Sequence, residues 1–508
     1  MKYLQLLLLS FVLLTSCSGN DIIVEENYEN TLPRLVSMSF HATDNPYQLV
    51  QDVQGVIIGD SIVEFRIPYL MLNKNLIPQI EKEGETILIN DIPYNSPAAV
   101  DFKTPVKVTV QNTQYQKDYM VYVHSFTGLP VMWIETEGRK TIDSKEVYQN
   151  ASFRFEENVT TRGAGDIIVD SVQIKGRGNS SWDERSPKKS YRLKFNKKVS
   201  LCGEPEDKSW VLIANYFDKT MLHNMTAYFM GYLSNLDYTP KCHFVELMLN
   251  GSYNGTYLLC EKIKVAKHRV NVGNDGYLLE VDSYAYKESD SRMFSTPHLP
   301  RTVNIKEPEV EYCDEKYNFI SNYVNSAEEA LFSDAFTDVE NGWQKYLDIN
   351  SFVDWYIINE IAKNHDAPLI TSCYMNLKPG GKLKMGPLWD FDTGFGNIDY
   401  DNNWPAEDWW VRKAEWFTRL YEDSTFEKKV KERFFFFYQN QDLILNEINA
   451  NADYLRYSVQ ENDNKWHTLY TYTFPNYDIW GGYYNEVQCF KSWLKTRFEW
   501  LKTEFEKR

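Results

Sequence analysis

The sequence predicts a multidomain protein in which a small all-β sandwich precedes a larger α+β domain, β-rich in its first half and helical in its second. Three observations lead there. At 508 residues the chain exceeds the ~250 to 300 at which one hydrophobic core stops growing. Up to about Phe126 apolar residues alternate with polar ones, the period of half-buried strands, and from about Lys316 onward they recur at helical spacing. Composition is globular, with 43% hydrophobic and 25% charged residues. A formal net charge of −17 argues against a nucleic-acid or anionic-membrane surface, because phosphate binding needs a basic footprint.

Residues 1–17 begin with Lys2, run apolar from Leu6 to Leu14 with a break only at Ser10, and close on Leu14-Thr15-Ser16-Cys17. Such a run is too short to span a bilayer and is flanked as a cleaved signal is. The small residues before Cys17 resemble the lipobox of bacterial lipoproteins. That resemblance implies cleavage before Cys17, lipidation of its thiol, and an extracytoplasmic protein anchored at the outer membrane or cell surface. The plain alternative is a secretory signal with a chance cysteine. No later stretch approaches the ~18 uncharged apolar residues of a spanning helix. Cys202, Cys242, Cys260, Cys313, Cys373 and Cys489 lie at wide spacing without a Cys-x-x-Cys pair, which argues against a zinc site. Disulfides suit an oxidising compartment, with no pairing readable from spacing.

Residues 18–34 read as a polar tether. Within residues 35–126, Val63, Phe65 and Ile67 alternate with Glu64 and Arg66, Val106, Val108 and Val110 with Lys107 and Thr109, and Tyr119, Val121 and Val123 repeat the pattern. Several such strands fit a β-sandwich, and the segment resembles the immunoglobulin-like modules found ahead of catalytic domains in surface lipoproteins. It is expected to act as a spacer, with adhesion the competing role.

Gly128-Leu129-Pro130 opens the larger domain, residues 129–508. Val172 and Ile174 lead into the turn Gly176-Arg177-Gly178-Asn179-Ser180-Ser181-Trp182, and a basic strand comes next, in which Tyr191, Leu193 and Phe195 share one face and Lys188, Arg192 and Lys194 the other. Three cations beside a Gly-x-Gly loop suit phosphates; lysines on an outer face also protect a sheet edge. Asp218 is placed to cap a helix from Lys219 to about Leu236, buried through Met221, Leu222, Met225, Tyr228 and Phe229. Asn250-Gly251 predicts a tight hairpin between Phe244 to Leu249 and Tyr253 to Glu261. Strands at 276–282 and 303–306 extend the β-rich half. Ser351 and Asp354 form an expected capping box for the helix carrying Phe352, Trp355, Ile358, Ile361 and Ala362 and delivering Asp366 at its end. The tail from Asp408 reads as amphipathic helices, and its many aromatics, like those of Phe434-Phe435-Phe436-Phe437-Tyr438, as core more than sugar platform.

Chemistry concentrates in Gly386-Pro387-Leu388-Trp389-Asp390-Phe391-Asp392-Thr393-Gly394-Phe395-Gly396. If extended, the segment aims Asp390 and Asp392 at one point, as a hard cation requires. A turn in which each carboxylate caps a backbone amide is the other reading. Asn364-His365-Asp366 adds a third carboxylate, and an acid at a helix exit with a metal pair at a strand exit is a phosphotransfer layout. His365, with no partner His at ligand spacing, reads as a packed or hydrogen-bonding residue.

Arg177-Gly178-Asn179-Ser180-Ser181-Trp182 with the basic run from Lys188 to Lys194, Asn250-Gly251 to Glu261-Lys262-Ile263, Leu278-Leu279-Glu280-Val281-Asp282, Asn364-His365-Asp366 and the Asp390 motif together resemble the CotH kinase family of atypical protein kinases. The resemblance covers residues from about Leu129 to Arg508. It implies a β-rich nucleotide lobe, a helical lobe, ATP, a divalent metal (Mg²⁺ or Mn²⁺) and phosphoryl transfer to hydroxyls of a protein substrate. On it, Asp366 positions the acceptor, Asp390 with Asp392 binds the metal, Lys188, Arg192 or Lys194 faces the phosphates, and Glu261 orients that cation. The chain has His223-Asn224 where relatives often carry Arg-Asn, and no Asn five residues after Asp366. The competing functions are a noncatalytic surface protein binding a glycan or protein partner, and a glycoside hydrolase using two carboxylates.

Overall fold

The alternating segments near the N-terminus fold as strands that bury one face and expose the other. The structure, a computed structural model, describes residues 32–49, 51–67, 73–125, 127–157, 167–288 and 292–507; the leader and Cys17 lie outside the described residues. The chain divides into two compact units, one of residues up to His124 and the other chiefly of Ser125–Arg508. In the first, Arg34–Phe40 lies between Val53–Gln54 and Pro78–Glu83, and a second sheet runs in the order Val56–Ile58, Ile62–Ile67, Gln116–Ser125, Val106–Gln111, Thr86–Ile89 and Ile92–Pro93. Phe40 of one sheet meets Phe65 of the other with ring centroids 4.2 Å apart, so the two sheets share a core. Val63, Phe65, Val106, Val108, Val110, Tyr119, Val121 and Val123 of this unit are all buried.

In the second unit, seven strands close into a barrel. They are β1 (Val131–Thr136), β2 (Gln149–Glu156), β3 (Ile167–Arg177), β4 (Ser190–Val199), β5 (Asp207–Ile213), β6 (Cys242–Leu249) and β7 (Ser252–Glu261). Around the barrel the order is β1-β2-β3-β4-β5-β7-β6, and β6 returns to β1 through a parallel pair with Val131 opposite Glu246. Ile134, Phe153, Phe155, Ile174, Leu193, Phe195, Leu212 and Leu247 fill the interior. The β6–β7 connection places Asn250 and Gly251 at φ 51° and 80°, the left-handed pair of a tight hairpin. Tyr191, Leu193 and Phe195 are buried as their parity predicts, with Lys194 exposed. Lys188 departs from that parity. It precedes β4 and turns into the protein, leaving the side chain buried.

The outer wall of the barrel, through Val211, Ile213, Phe244 and Leu258, joins the main core of the unit. Against that core lie a five-stranded sheet and the helices. The sheet comprises β8 (Tyr277–Val281), β9 (Met293–Phe294), β10 (Val303–Glu307), β11 (Cys373–Leu377) and β12 (Lys384–Met385), in the order β9-β10-β8-β11-β12. The helices are α1 (His223–Tyr232), α2 (Glu315–Phe332), α3 (Ile349–Ala362), α4 (Glu415–Leu420), α5 (Ser424–Gln439), α6 (Gln441–Leu455), α7 (Ser458–Trp466) and α8 (Tyr483–Glu506).

Two helix starts differ from expectation. α1 begins at His223, because Asp218 spends its carboxylate on the Thr220 amide (2.9 Å) and the His223 amide (2.8 Å) ahead of the first turn. α3 is capped by Asp348, which accepts from the Ser351 amide at 2.8 Å, while Asp354 accepts from Arg433 Nε at 2.6 Å. Every residue of α3 from Ser351 to Ala362 is buried. A helix enclosed on all sides holds its C-terminal exit in one place. Among the described residues no helix is long and apolar enough to cross a membrane.

Candidate active site

α3 ends on Lys363 in the left-handed conformation (φ 45°, ψ 44°), which turns the chain sharply into Asn364, His365 and Asp366. Asn364 is buried and welds this exit to the Asp390 motif just after β12: its Nδ2 donates to Asn359 Oδ1 (3.1 Å) and to the Asp390 carbonyl (3.2 Å). The motif is a turn, not an extended strand. Asp390 has φ 65°, a conformation in which a non-glycine residue is uncommon, so its carboxylate meets that of Asp392 through backbone reversal. From the other side α1 holds the same loop. Asn224 Oδ1 accepts from the Phe391 amide at 2.8 Å, and Asn397 Nδ2 donates to the Asp392 carbonyl at 2.7 Å. Gly396, at φ 77°, closes the turn where a Cβ would meet the Trp493 indole at 2.3 Å.

Asp390 and Asp392 are half-buried. Burial first, then the negative charge of Asp366, raises the Asp390 carboxyl above its ordinary value, against the opposing pull of Arg177 and Ser372. Burial and the charges of Asp390, Asp366 and Asp218 hold Asp392 well above the carboxylate range. The pair therefore resists ionising together. Ser372 Oγ donates to Asp390 Oδ2 at 3.3 Å, and among the described residues neither carboxylate caps a backbone amide. His365 bridges Asp366 (Nδ1 to Oδ1, 3.2 Å) and Asp401 (Nε2 to Oδ2, 2.9 Å). Burial opposes its charge, but the two carboxylates outweigh that and hold the imidazole above its ordinary value.

Arg177, in the sequence no more than one member of a loop motif, ends β3 and lays its guanidinium 5.2 Å from the centre of the Trp389 ring, beside Asp390. Lys175, two residues before it and thus on the same face of β3, stands opposite Arg192 of β4, whose buried Nε has no hydrogen-bond partner among the described residues. Lys262 is driven down to about 7 by burial and then by Arg192. Lys194, exposed, lies 5.7 Å from the Tyr148 ring.

The other two predicted residues are engaged elsewhere. Lys188 donates to the Thr256 carbonyl and to Asn462 Oδ1 (2.8 Å), and burial lowers it to about 7. Glu261 faces Arg269 at 3.7 Å and accepts from Tyr238 Oη (2.9 Å) and the Lys241 amide (3.0 Å), so its cation is Arg269 and not one of the basic strand. Arg177, Asn224 and Asn364 are the residues hidden from sequence reasoning, since their value lies in contacts across the fold. The Arg-Gly-Asn loop and the His223-Asn224 position are the traces that could have found them.

The family model for the CotH kinase protein matches residues 174–501, from β3 through α8. The chain belongs to the CotH kinase family. No curated protein matches it. Among solved structures, one provisionally described as a glycoside hydrolase from Bacteroides thetaiotaomicron is 12% identical over 57% of this chain and 87% of that one, with a TM-score of 0.17. A DUF4623 family protein from Bacteroides eggerthii is 9% identical over 56% of this chain and 73% of that one, with a TM-score of 0.16. Similarity at that level carries no argument about fold or activity.

A CotH domain implies a divalent metal, and the residues fit one. Among the described residues no three His, Cys, Asp or Glu side chains form a ready cage. Mg²⁺ and its like are commonly held by one or two carboxylates with water and substrate phosphates completing the shell. Asp390, raised by burial and the charge of Asp366, and Asp392, raised by burial and the charge of Asp390, supply such a pair.

Proposed function

We propose that this CotH-family chain is a phosphotransferase that moves the γ-phosphoryl group of ATP to a hydroxyl of a protein substrate. The observation that carries the reading is the pairing of Asp390 with Asp392, near enough to Asp366 for its charge to raise both, with the guanidinium of Arg177 on the Trp389 ring beside them. Asp390 with Asp392 would hold Mg²⁺ or Mn²⁺, which when bound neutralises charge building on the phosphate oxygens. Arg177 presents planar donors to a phosphate, with Arg192 and Lys262 as further cations on the barrel side. Asp366 accepts the hydrogen bond of the acceptor hydroxyl and orients it, its own carboxylate steadied by His365. On this reading the barrel half serves as nucleotide lobe and the helices as the second lobe. The two-sheet first unit is an immunoglobulin-like spacer, and lipid on Cys17 anchors the protein outside the cytoplasm.

The roles separate by substitution. Asp390→Asn is expected to lose metal-dependent ATP binding, whereas Asp366→Asn keeps it and loses transfer by ~10² to 10⁴-fold, the worth of a positioned base. Calorimetry with ATP and each metal reads the first; radiolabel transfer reads the second. Absence of nucleotide binding by the intact protein with either metal overturns the proposal.

A further inference from the structure

We infer that the loop leading into α8 is a docking platform for a neutral polysaccharide, an activity separate from phosphoryl transfer. Tyr472, Phe474, Tyr477, Trp480 and Tyr484 are each 40% to 73% exposed, and Trp404 beside them 37%. All large apolar side chains exposed within residues 468–486 are aromatic. Protein interfaces enrich Met and Arg beside their rings; within residues 468–486 no Met is present, and the Arg185 guanidinium, 4.4 Å from the Phe474 ring centre, is spent on Asp183. Flat rings with polar rims suit pyranose sugars instead, whose C–H faces lie on the electron-rich face of a ring while hydroxyls bond at the edge.

The geometry is that of a prepared surface. Trp404 and Tyr477 stack with centroids 4.3 Å apart and planes 13° from parallel. Tyr472 Oη donates to Asp399 Oδ2 at 2.7 Å, and Asn485 Nδ2 to the Trp480 carbonyl at 3.0 Å, leaving carboxylate and amide oxygens at the rims. The buried Lys219 ammonium holds the loop from beneath, donating to the carbonyls of Thr468 (2.5 Å) and Thr471 (2.8 Å). Buried Asn476 donates to the Phe217 carbonyl at 2.5 Å, and the Tyr477 amide to the Asn397 carbonyl at 3.0 Å. A backbone fixed in this way loses little freedom on binding. The platform begins at the candidate active site, since Tyr400 stacks near Phe474 (6.4 Å, 18°) and lies 4.9 Å from His365.

Native affinity gels containing laminarin, xylan, galactomannan or starch test the inference with the purified protein and no nucleotide. At least one polysaccharide is expected to retard it, equally at low and high salt. Trp480→Ala with Tyr484→Ala is expected to weaken that retardation about ten- to a hundredfold, the worth of two aromatic contacts, with ATP binding and melting unchanged. Retention by none of the four, retention undiminished in the double variant, or retention abolished by salt, which would mark a charged partner, each overturns the inference. A loss of ATP binding by the parent protein bears on phosphotransfer alone.

Discussion

Asp390 shows how a single residue is bent to a task. Its left-handed backbone costs about 1 kcal/mol or more and survives because Asn224 and Asn364 grip the loop from two elements. Asn224→Ala leaves the buried Phe391 amide without its acceptor, a cost of ~1–3 kcal/mol. We expect a lower melting temperature and a matching loss of ATP affinity in the presence of metal, measured by calorimetry. Lys188 makes the opposite case. Strand parity places it beside Arg192 and Lys194, but parity holds only within a strand, and β4 begins two residues later. Lys188→Met is expected to lower stability by ~1–3 kcal/mol through the bonds lost to the Thr256 carbonyl and Asn462 Oδ1, with ATP affinity unchanged. An affinity loss without a stability loss would return it to the phosphates. Carboxylate spacing is therefore legible in the sequence, whereas the cation facing it is not, because Arg177 reaches Trp389 across the fold.

At the scale of elements, α3 is the piece that aims the chemistry. Its apolar content announces a buried helix but not its cap, because Ser351 and Asp354 match the capping-box spacing while Asp348 sits where the first amides are free. Asp348→Ala is expected to cost ~1 kcal/mol and Ser351→Ala less, in denaturant melts of the two variants. The far end is fixed by Arg497 of α8, fully buried and 2.7 Å from Glu360, a pairing no local pattern discloses. β11 and β12 are likewise hidden; the five residues Cys373–Leu377 and the two Lys384–Met385 are short runs between loops. Closure of the barrel leaves no trace either, because alternation of period two is the same in an open sheet and a closed one.

For the molecule as a whole, net charge and burial act in one direction. Burial, the first cause at each, lifts Glu280, Glu461 and Glu486 to about 7, and His365, Asp390 and Asp392 are raised too. The folded state then holds more protons than the unfolded chain between about pH 4.5 and 7, so these groups make stability fall as pH rises through that window. Without divalent metal, the melting temperature is expected to drop between pH 5.5 and pH 7, taken as about the limits of that range. Mn²⁺ is expected to raise it more at the upper end, where it competes with fewer protons. A flat profile, or an equal gain at both ends, counts against the coupled carboxylates. The division into two units near His124 leaves no mark in periodicity, which is that of strands on both sides; the sign in the sequence nearby is the Gly128-Leu129-Pro130 break. The seam of the barrel, Val131 of β1 beside Glu246 of β6, bears on the order of assembly. As the chain emerges from the ribosome or an export channel, β1 lacks its partner across the seam until the whole of β2 to β6 has emerged. Protection from hydrogen exchange of those β1 amides that face β6, not of those paired with β2, thus reports closure of the barrel, and a nascent chain stopped before Asn250 would offer open strand edges to its neighbours.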